Sequence, residues 1–268
     1  MHRIQGRSVI ADTRSHLLLI PSYNTGPKLL ETVGDARRHW QPVWVVIDGS
    51  TDGSAEALQQ QVAGDPHVRV IALPCNQGKG AAVLHGLHEA AAAGFTHVLT
   101  MDADGQHPAA LIADFMALSR ANPDAVVFGQ PVFDASAPLV RVYGRKLSNG
   151  LANLQTLWRG IGDSLFGFRV YPIAPLRDIM QAQRWMRHFD FEPEAAVRLC
   201  WRGVRPLRLS APVKYFSPAD GGVSHFNYLR DNTRLVCMNV RLLLEFMVRL
   251  PVLLVATVGR ILFRSSPH

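Results

Sequence analysis

A doubly wound α/β fold on a single, mostly parallel sheet is predicted by three features of this sequence. Short apolar runs alternate with stretches of helical spacing through the first half, the pattern of repeated βα units. The runs are apolar throughout, as strands buried on both faces are. Four of them end in polar turns, and in a parallel sheet those turns share one edge. With 268 residues, 48% of them apolar, the chain can bury one large α/β domain or two small ones.

In chain order, residues 1–15 are polar and expected to form a loose arm. His16 to Ile20 is a short apolar strand, closed by the turn Pro21-Ser22-Tyr23-Asn24-Thr25-Gly26-Pro27. Lys28 to His39 places Leu29, Leu30 and Val33 on one helical face. Val43 to Ile47 is a second strand, ended by Asp48-Gly49-Ser50-Thr51-Asp52, and residues 55–62 read as helix. Val68 to Leu73 is a third strand, followed by Asn76-Gln77-Gly78-Lys79-Gly80 and an alanine-rich helix to about Ala93. The strand opening at Val98, a helix over Ala109 to Ser119 and a strand over Ala125 to Gly129 complete the alternation.

Composition excludes several classes. The net charge of +7 predicts anionic partners: phosphates, nucleic acid or a membrane surface. Nucleic acid is disfavoured, because the arginines cluster with aliphatic residues and form no basic–aromatic stripe. Cys75, Cys200 and Cys237 have neither metal nor redox spacing and read as buried thiols in a reducing compartment. No apolar run of signal-peptide type is expected at the N-terminus. Neither a Walker loop nor a Gly-x-Gly-x-x-Gly fingerprint follows a strand, which disfavours P-loop NTPases and dinucleotide dehydrogenases. Gly78 and Gly80 still let backbone approach a ligand, with Lys79 as a point charge at a helix start.

The chemistry concentrates in Met101-Asp102-Ala103-Asp104-Gly105-Gln106-His107-Pro108. Asp102 and Asp104 fall at the carboxyl end of a strand, where open α/β sheets place ligands. Two carboxylates one residue apart can share a hard divalent cation, Mg²⁺ or Mn²⁺. The competing reading is a turn in which aspartate caps a helix. Taken in order, IPSYNTG, VVIDGSTDGS, NQGKGAAVLHG and MDADGQHP resemble family 2 glycosyltransferases. The branch most similar is that of dolichyl- and polyprenyl-phosphate sugar synthases, and the resemblance covers roughly residues 16–215. It implies the A-type nucleotide-sugar transferase fold, a nucleotide-diphosphate sugar donor and a divalent metal. It also implies that Pro21, Tyr23, Asn24, Asp48 and Lys79 lie on the nucleotide side, with Ser50 and Asn76 at the same strand ends. Asp102, Asp104 and Gln106 would hold the metal. The family usually has two consecutive acids at the second strand end; here Ile47 replaces the first, which leaves the nucleotide base open.

In the second half, Asp163 to Arg169 resembles the family's Asp-x-x-x-Gly-Phe-Arg element. Arg169 is a candidate phosphate clamp or, equally, half of an ion pair with Asp163. Asp190, Glu192 and Glu194 precede an apolar helix, Ala195 to Trp201, and are the candidate general bases. A base is needed for a hydroxyl acceptor but not for a lipid phosphate, which is already anionic. The competing reading is an acidic helix cap. A strand is expected over Val213 to Phe216, and Gly221-Gly222 beyond it read as a mobile lid carrying His225, a candidate contact to the diphosphate or acceptor.

Residues 226–268 hold six arginines, two acids and several aliphatic runs, each too short for a membrane span of roughly 20 residues. A pair of amphipathic helices in the interface of an anionic leaflet is expected, against packing on the domain or a dimer surface. The organisation is then an arm over 1–15, a catalytic domain over 16–220, and a lid with membrane-interface helices over 221–268. The reading favoured is an inverting, metal-dependent glycosyltransferase with a lipid-linked or membrane-embedded acceptor, peripheral on the cytoplasmic face of a membrane. The alternatives are a nucleotidyltransferase and a catalytically silent module that binds sugar nucleotides or anionic lipid.

Overall fold

The computed structural model describes residues 15–132, 139–213 and 227–264, with side chains omitted for 139–143 and 258–264. Seven strands form one sheet in the order β3-β2-β1-β4-β6-β5-β7. They are β1 (His16–Ser22), β2 (Val43–Asp48), β3 (Val68–Leu73), β4 (His97–Thr100), β5 (Ala125–Val132), β6 (Arg169–Pro172) and β7 (Arg205–Pro212). All are parallel except β6, which runs antiparallel between β4 and β5. The expected single, mostly parallel α/β sheet is the one found.

The strands read as apolar runs because both of their faces are covered. Along β1, Leu17 and Leu19 enter one core with Val46, Phe128 and Phe191, while Leu18 and Ile20 enter a second core with Val33 and Phe115. Helices α1 (Pro27–His39), α2 (Ser54–Gln61) and α4 (Ile112–Arg120) cover the second face. Helices α3 (Lys79–Ala92), α6 (Ile173–Ala182) and α7 (Phe191–Trp201) cover the first. The chain winds outward from β1 to β3 and then returns to β4 beside β1. The order therefore reverses between β1 and β4, and such a switch point opens a crevice at the carboxyl ends of the two strands.

The second half departs from expectation in three places. The alternation read from the sequence stops at Gly129 and does not reach helices α5 (Leu139–Gln155) and α6 or strand β7. The strand expected over 213–216 ends earlier, at Pro212, and 214–216 lie outside the described residues. The C-terminal pair of helices is instead one helix, α8 (Tyr228–Arg264), running through Pro251. No glycine or turn dipeptide separates its two apolar stretches, so nothing ends the helix between them. No helix among the described residues is long and apolar enough to cross a membrane.

At the amino end of the sheet, remote from the crevice, His16 and His97 stack with ring centroids 4.4 Å apart. His97 Nε2 donates to the Pro123 carbonyl at 2.8 Å, and His16 Nε2 lies 3.1 Å from Ser119 Oγ. Burial, with the neighbouring His97 and Arg120, pushes His16 down to about 3. The unfolded chain therefore takes up the proton first as pH falls. Stability should be complete above 6.5 and decline toward about 3. The loss expected by pH 4 is of the order of 3 kcal/mol for a single imidazole. Urea titrations from pH 7 to 4 check this: the decline should be visibly shallower in His16→Asn.

Candidate active site

The crevice is a cleft of about 1370 Å³. Its floor comes from the carboxyl ends of β1, β2 and β4, and its flanks from α3, α5 and the first half of α8. Pro21, Tyr23, Asp48, Asn76, Lys79, Asp102, Asp104 and Gln106, all expected at a site from the sequence, line it.

Asn24 and Ser50 have a different place, because neither lines the cleft. Asn24, at a positive φ of 45°, donates its backbone N–H to Ser50 Oγ at 2.9 Å, and its side-chain Oδ1 accepts the Thr51 N–H at 2.7 Å. Asp52 accepts the N–H groups of Gly26 and Ser54 at 2.8 and 3.1 Å. These polar residues brace the first two strand-end turns against each other.

Asp48 is buried at the cleft wall, where its two oxygens accept the N–H groups of Gln77 and Gly78 at 2.9 and 2.8 Å. Burial pushes its carboxyl up, and those two bonds offset part of the rise. Gly78, with φ of +99°, has no room for a Cβ because His188 and the Arg187 carbonyl press against it. Gly78 before α3 and Gly80 in its first turn thus admit the 186–188 segment, and Gly78 also lines the cleft.

Lys79 opens α3 and reaches across the cleft. Its Nζ lies 2.5 Å from Asp102 Oδ1 and 2.7 Å from Glu192 Oε1. Burial opposes its charge, but Asp102 and Glu192 outweigh burial and hold the ammonium above its usual range. Asp102 is half-buried, which opposes its charge, yet Lys79 and His107 hold its carboxyl below the usual range. The Asp102 N–H donates to His107 Nδ1 at 3.0 Å. The His107 proton is therefore on Nε2, 3.7 Å from Asp102 Oδ2. Burial brings His107 down to about 4, so the ring is neutral. Asp104 Oδ1 accepts the Gln106 N–H at 3.0 Å, and burial together with Asp102 pushes the Asp104 carboxyl up to about 6.

Two carboxylates close enough that Asp102 raises the proton affinity of Asp104, in a shared cleft, are a fitting donor pair for a hard cation. Among the described residues no group of three or more His, Cys, Asp or Glu could hold a metal. The protein would supply Asp102 and Asp104, with Gln106 beside them. Mg²⁺ and Mn²⁺ commonly complete such a shell with water and substrate phosphates. The residues fit the group.

Arg169 does not line the cleft and is fully buried on β6. Its guanidinium donates to the carbonyls of Phe166 at 2.6 Å and Glu192 at 2.8 Å, and to the Tyr171 hydroxyl at 3.1 Å. A phosphate clamp needs those donors free, so that expectation is corrected. The Asp163 ion pair also goes elsewhere, to Arg145 at 2.7 Å. Of the three candidate bases, Glu192 faces the cleft and the other two do not. Asp190 sits beside the cleft, accepting the His188 N–H at 3.3 Å, with burial raising its carboxyl. Glu194 is fully buried on the opposite side of α7 and accepts from Trp185 Nε1, Arg198 Nε and Arg241 Nη2 at 2.9, 2.7 and 2.7 Å. The glycine pair at 221–222 and His225 lie outside the described residues.

The structure adds residues to which the sequence gave no role: His107, Arg145, His188, Arg234 and Asn239. His107 stood inside the acidic motif, and only its ring geometry reveals that it orients Asp102. The α8 residues needed the packing of that helix against the cleft.

Comparison with known proteins agrees with this arrangement. The model of glycosyl transferase family 2 matches residues 18–180, more than half of the chain. The polyprenol monophosphomannose synthase of Mycolicibacterium smegmatis is 26% identical over 203 residues, spanning 74% of this chain and 75% of that protein. A dolichyl-phosphate beta-glucosyltransferase of Trichomonas vaginalis is 31% identical over 206 residues, spanning 67% of this chain and 58% of that one. Among solved structures, glucosyl-3-phosphoglycerate synthase from Mycobacterium tuberculosis, in complex with Mn²⁺, UDP-glucose and phosphoglyceric acid, shares the fold. Its TM-score is 0.61 at 16% identity, covering 87% of this chain and 79% of that one. Sequence, sheet order and family match coincide on the same strand ends, and the protein belongs to glycosyl transferase family 2 and is a glycosyltransferase.

Proposed function

We propose that the protein moves a sugar from a nucleotide-diphosphate sugar to the phosphate of a polyprenyl-type lipid at a membrane surface. One observation carries this reading: a single cleft is lined by the acids Asp102 and Asp104, by the basic side chains Arg145, Arg230 and Arg234, and by the aliphatic Leu151, Val236 and Val240 of α5 and α8. A lipid phosphate, with an anionic head and a hydrocarbon chain, matches that lining. The printed names of the relatives in Mycolicibacterium smegmatis and Trichomonas vaginalis point to the same acceptor class.

In this reading a phosphate oxygen of the lipid attacks the anomeric carbon. The bond from that carbon to the donor diphosphate breaks, and the nucleoside diphosphate leaves with the electron pair. One displacement inverts the anomeric configuration. A bound Mg²⁺ or Mn²⁺ would neutralise charge on the departing diphosphate. Asp102 and Asp104 would hold it, with His107 fixing the Asp102 backbone by accepting its N–H. The attacking oxygen is anionic and needs no general base. That agrees with Glu192, whose carboxylate is engaged by Lys79.

Helix α8 supports the membrane part. Its buried face carries Met238, Leu242, Phe246 and Leu253. The opposite face leaves Leu229, Leu244, Met247, Val248 and Val255 exposed, Leu229 and Val248 above 80%. A helix apolar on two opposed faces needs second apolar surroundings, as a membrane interface provides. Of the three thiols expected to be buried, Cys200 is, whereas Cys75 and Cys237 are exposed; none is in a disulfide, which is consistent with the cytoplasmic face.

The test supplies labelled nucleotide sugars, Mn²⁺ and polyprenyl phosphate in anionic vesicles. Label should enter the lipid fraction, and Leu244→Glu/Met247→Glu should lower that rate by about tenfold through lost vesicle binding. Equal transfer to polyprenol, which lacks the phosphate, would refute the acceptor. An unchanged rate in the double variant would refute the docking face.

A further inference from the structure

We infer that Glu192 is a positioning residue that draws Lys79 away from Asp102 and so sets how well Asp102 can take a divalent cation. The inference rests on the proposed cation pair, Asp102 and Asp104.

Three observations carry it. Lys79 Nζ bridges Asp102 Oδ1 at 2.5 Å and Glu192 Oε1 at 2.7 Å, so one ammonium is shared between two acids. Asp102 lines the cleft together with Asp104, so the ammonium sits on an oxygen that a cation shared by the two acids would use. The cluster is packed with no slack on one side. A Cβ on Gly167 would collide with Glu192 Oε1 and come within 3.2 Å of Lys79 Nζ and 3.3 Å of Asp102 Oδ1.

Glu192 is the fixed member of the cluster. Its own carbonyl is held by Arg169 Nη1 at 2.8 Å. Two residues on, Glu194 ties the other face of α7 to α8 through Arg241 at 2.7 Å. Lys79, by contrast, stands on a flexible four-carbon stem. A divalent cation arriving at Asp102 repels the ammonium, which must then go elsewhere. Glu192 already touches it, so the transfer costs a tilt of the side chain and no new burial. Without the Glu192 charge, Lys79 has Asp102 as its remaining partner and competes with the cation for it.

Competition predicts opposite signs for two variants. In Glu192→Gln, Lys79 is left on Asp102, and Mn²⁺ binding should weaken by about tenfold. In Lys79→Met/Glu192→Gln the competitor is gone and no carboxylate is stranded, so Mn²⁺ binding should be about tenfold tighter than in the wild type. Long-range charge alone predicts no change for the double variant, because it removes one charge of each sign.

The measurement is the paramagnetic resonance signal of free Mn²⁺, titrated into each protein with and without UDP or GDP, with melting curves to confirm folding. Asp104→Asn is the control for the pair itself. Absence of Mn²⁺ uptake by the wild type in every titration would overturn the proposed cation site, and this inference with it. Uptake by the wild type and loss in Asp104→Asn, with a double variant no tighter than the wild type, would overturn the role of Glu192 alone. Uptake that weakens in Glu192→Gln and tightens in the double variant supports it.

Discussion

Asp104→Asn is expected to lower sugar transfer by about a thousandfold while leaving the fold intact. The size follows from the role: a cation beside a departing diphosphate is worth several kcal/mol, and about 4 kcal/mol corresponds to three decades of rate. The fold should tolerate the change, because the one local bond recorded for this side chain is Oδ1 accepting the Gln106 N–H. Asparagine keeps an oxygen in that place. Nor does the folded state gain from the charge, since burial and Asp102 push the carboxyl up to about 6. Initial rates with excess Mn²⁺, paired with melting temperatures, separate the two effects. A variant that melts normally and still transfers within a few-fold of the wild type would remove Asp104 from the chemistry.

Glu194→Ala should do the reverse and cost stability first. Glu194 accepts from Trp185, Arg198 and Arg241 while fully buried, and Arg241 stacks 4.1 Å from the Trp185 ring centroid. Arg198 continues to Glu245 at 2.8 Å, and Glu245 to Arg249 at 2.7 Å, fastening α8 onto α7. Removing the central carboxylate leaves two guanidinium groups with an unmet partner. Breaking a buried pair from one side costs about 3–5 kcal/mol. For a chain of this size that lowers the melting temperature by about 10 °C. Differential scanning calorimetry measures it. A normal melting temperature with transfer abolished would instead place Glu194 in the reaction, the role its sequence motif resembles.

These two acids show where the sequence was legible and where it was not. The strands β1 and β2 and the turns after them could be read almost to the residue, because a strand covered on both faces must be an unbroken apolar run. Asp102, Asp104 and Lys79 followed from their place at strand ends. Side-chain direction within a helix did not follow. Asp190, Glu192 and Glu194 are two residues apart, and on a helix each step of two turns the side chain by about 200°. Which acid faces the cleft is then set by where α7 begins, and it begins at Phe191, not Ala195. Arg169 misled for a related reason: β6 is a short inner strand between β4 and β5, and its one arginine serves carbonyls of the turn that precedes it. Asn24 and Ser50 sit in the right turns but spend their hydrogen bonds on each other. Strand β7, with its Arg205, Arg208 and flanking prolines, lies at the sheet edge and lacks the apolar run that marked the inner strands. The face of α8 that joins the cleft needed the Glu194 network to place it.

The most direct test of the cation between Asp102, Asp104 and the donor diphosphate is paramagnetic resonance of bound Mn²⁺ with a nucleoside diphosphate carrying oxygen-17 on its phosphates. The Mn²⁺ lines should broaden in the wild type and stay sharp in Asp104→Asn. Lines that remain sharp in the wild type at saturating nucleotide, or that broaden equally in the variant, would contradict the account.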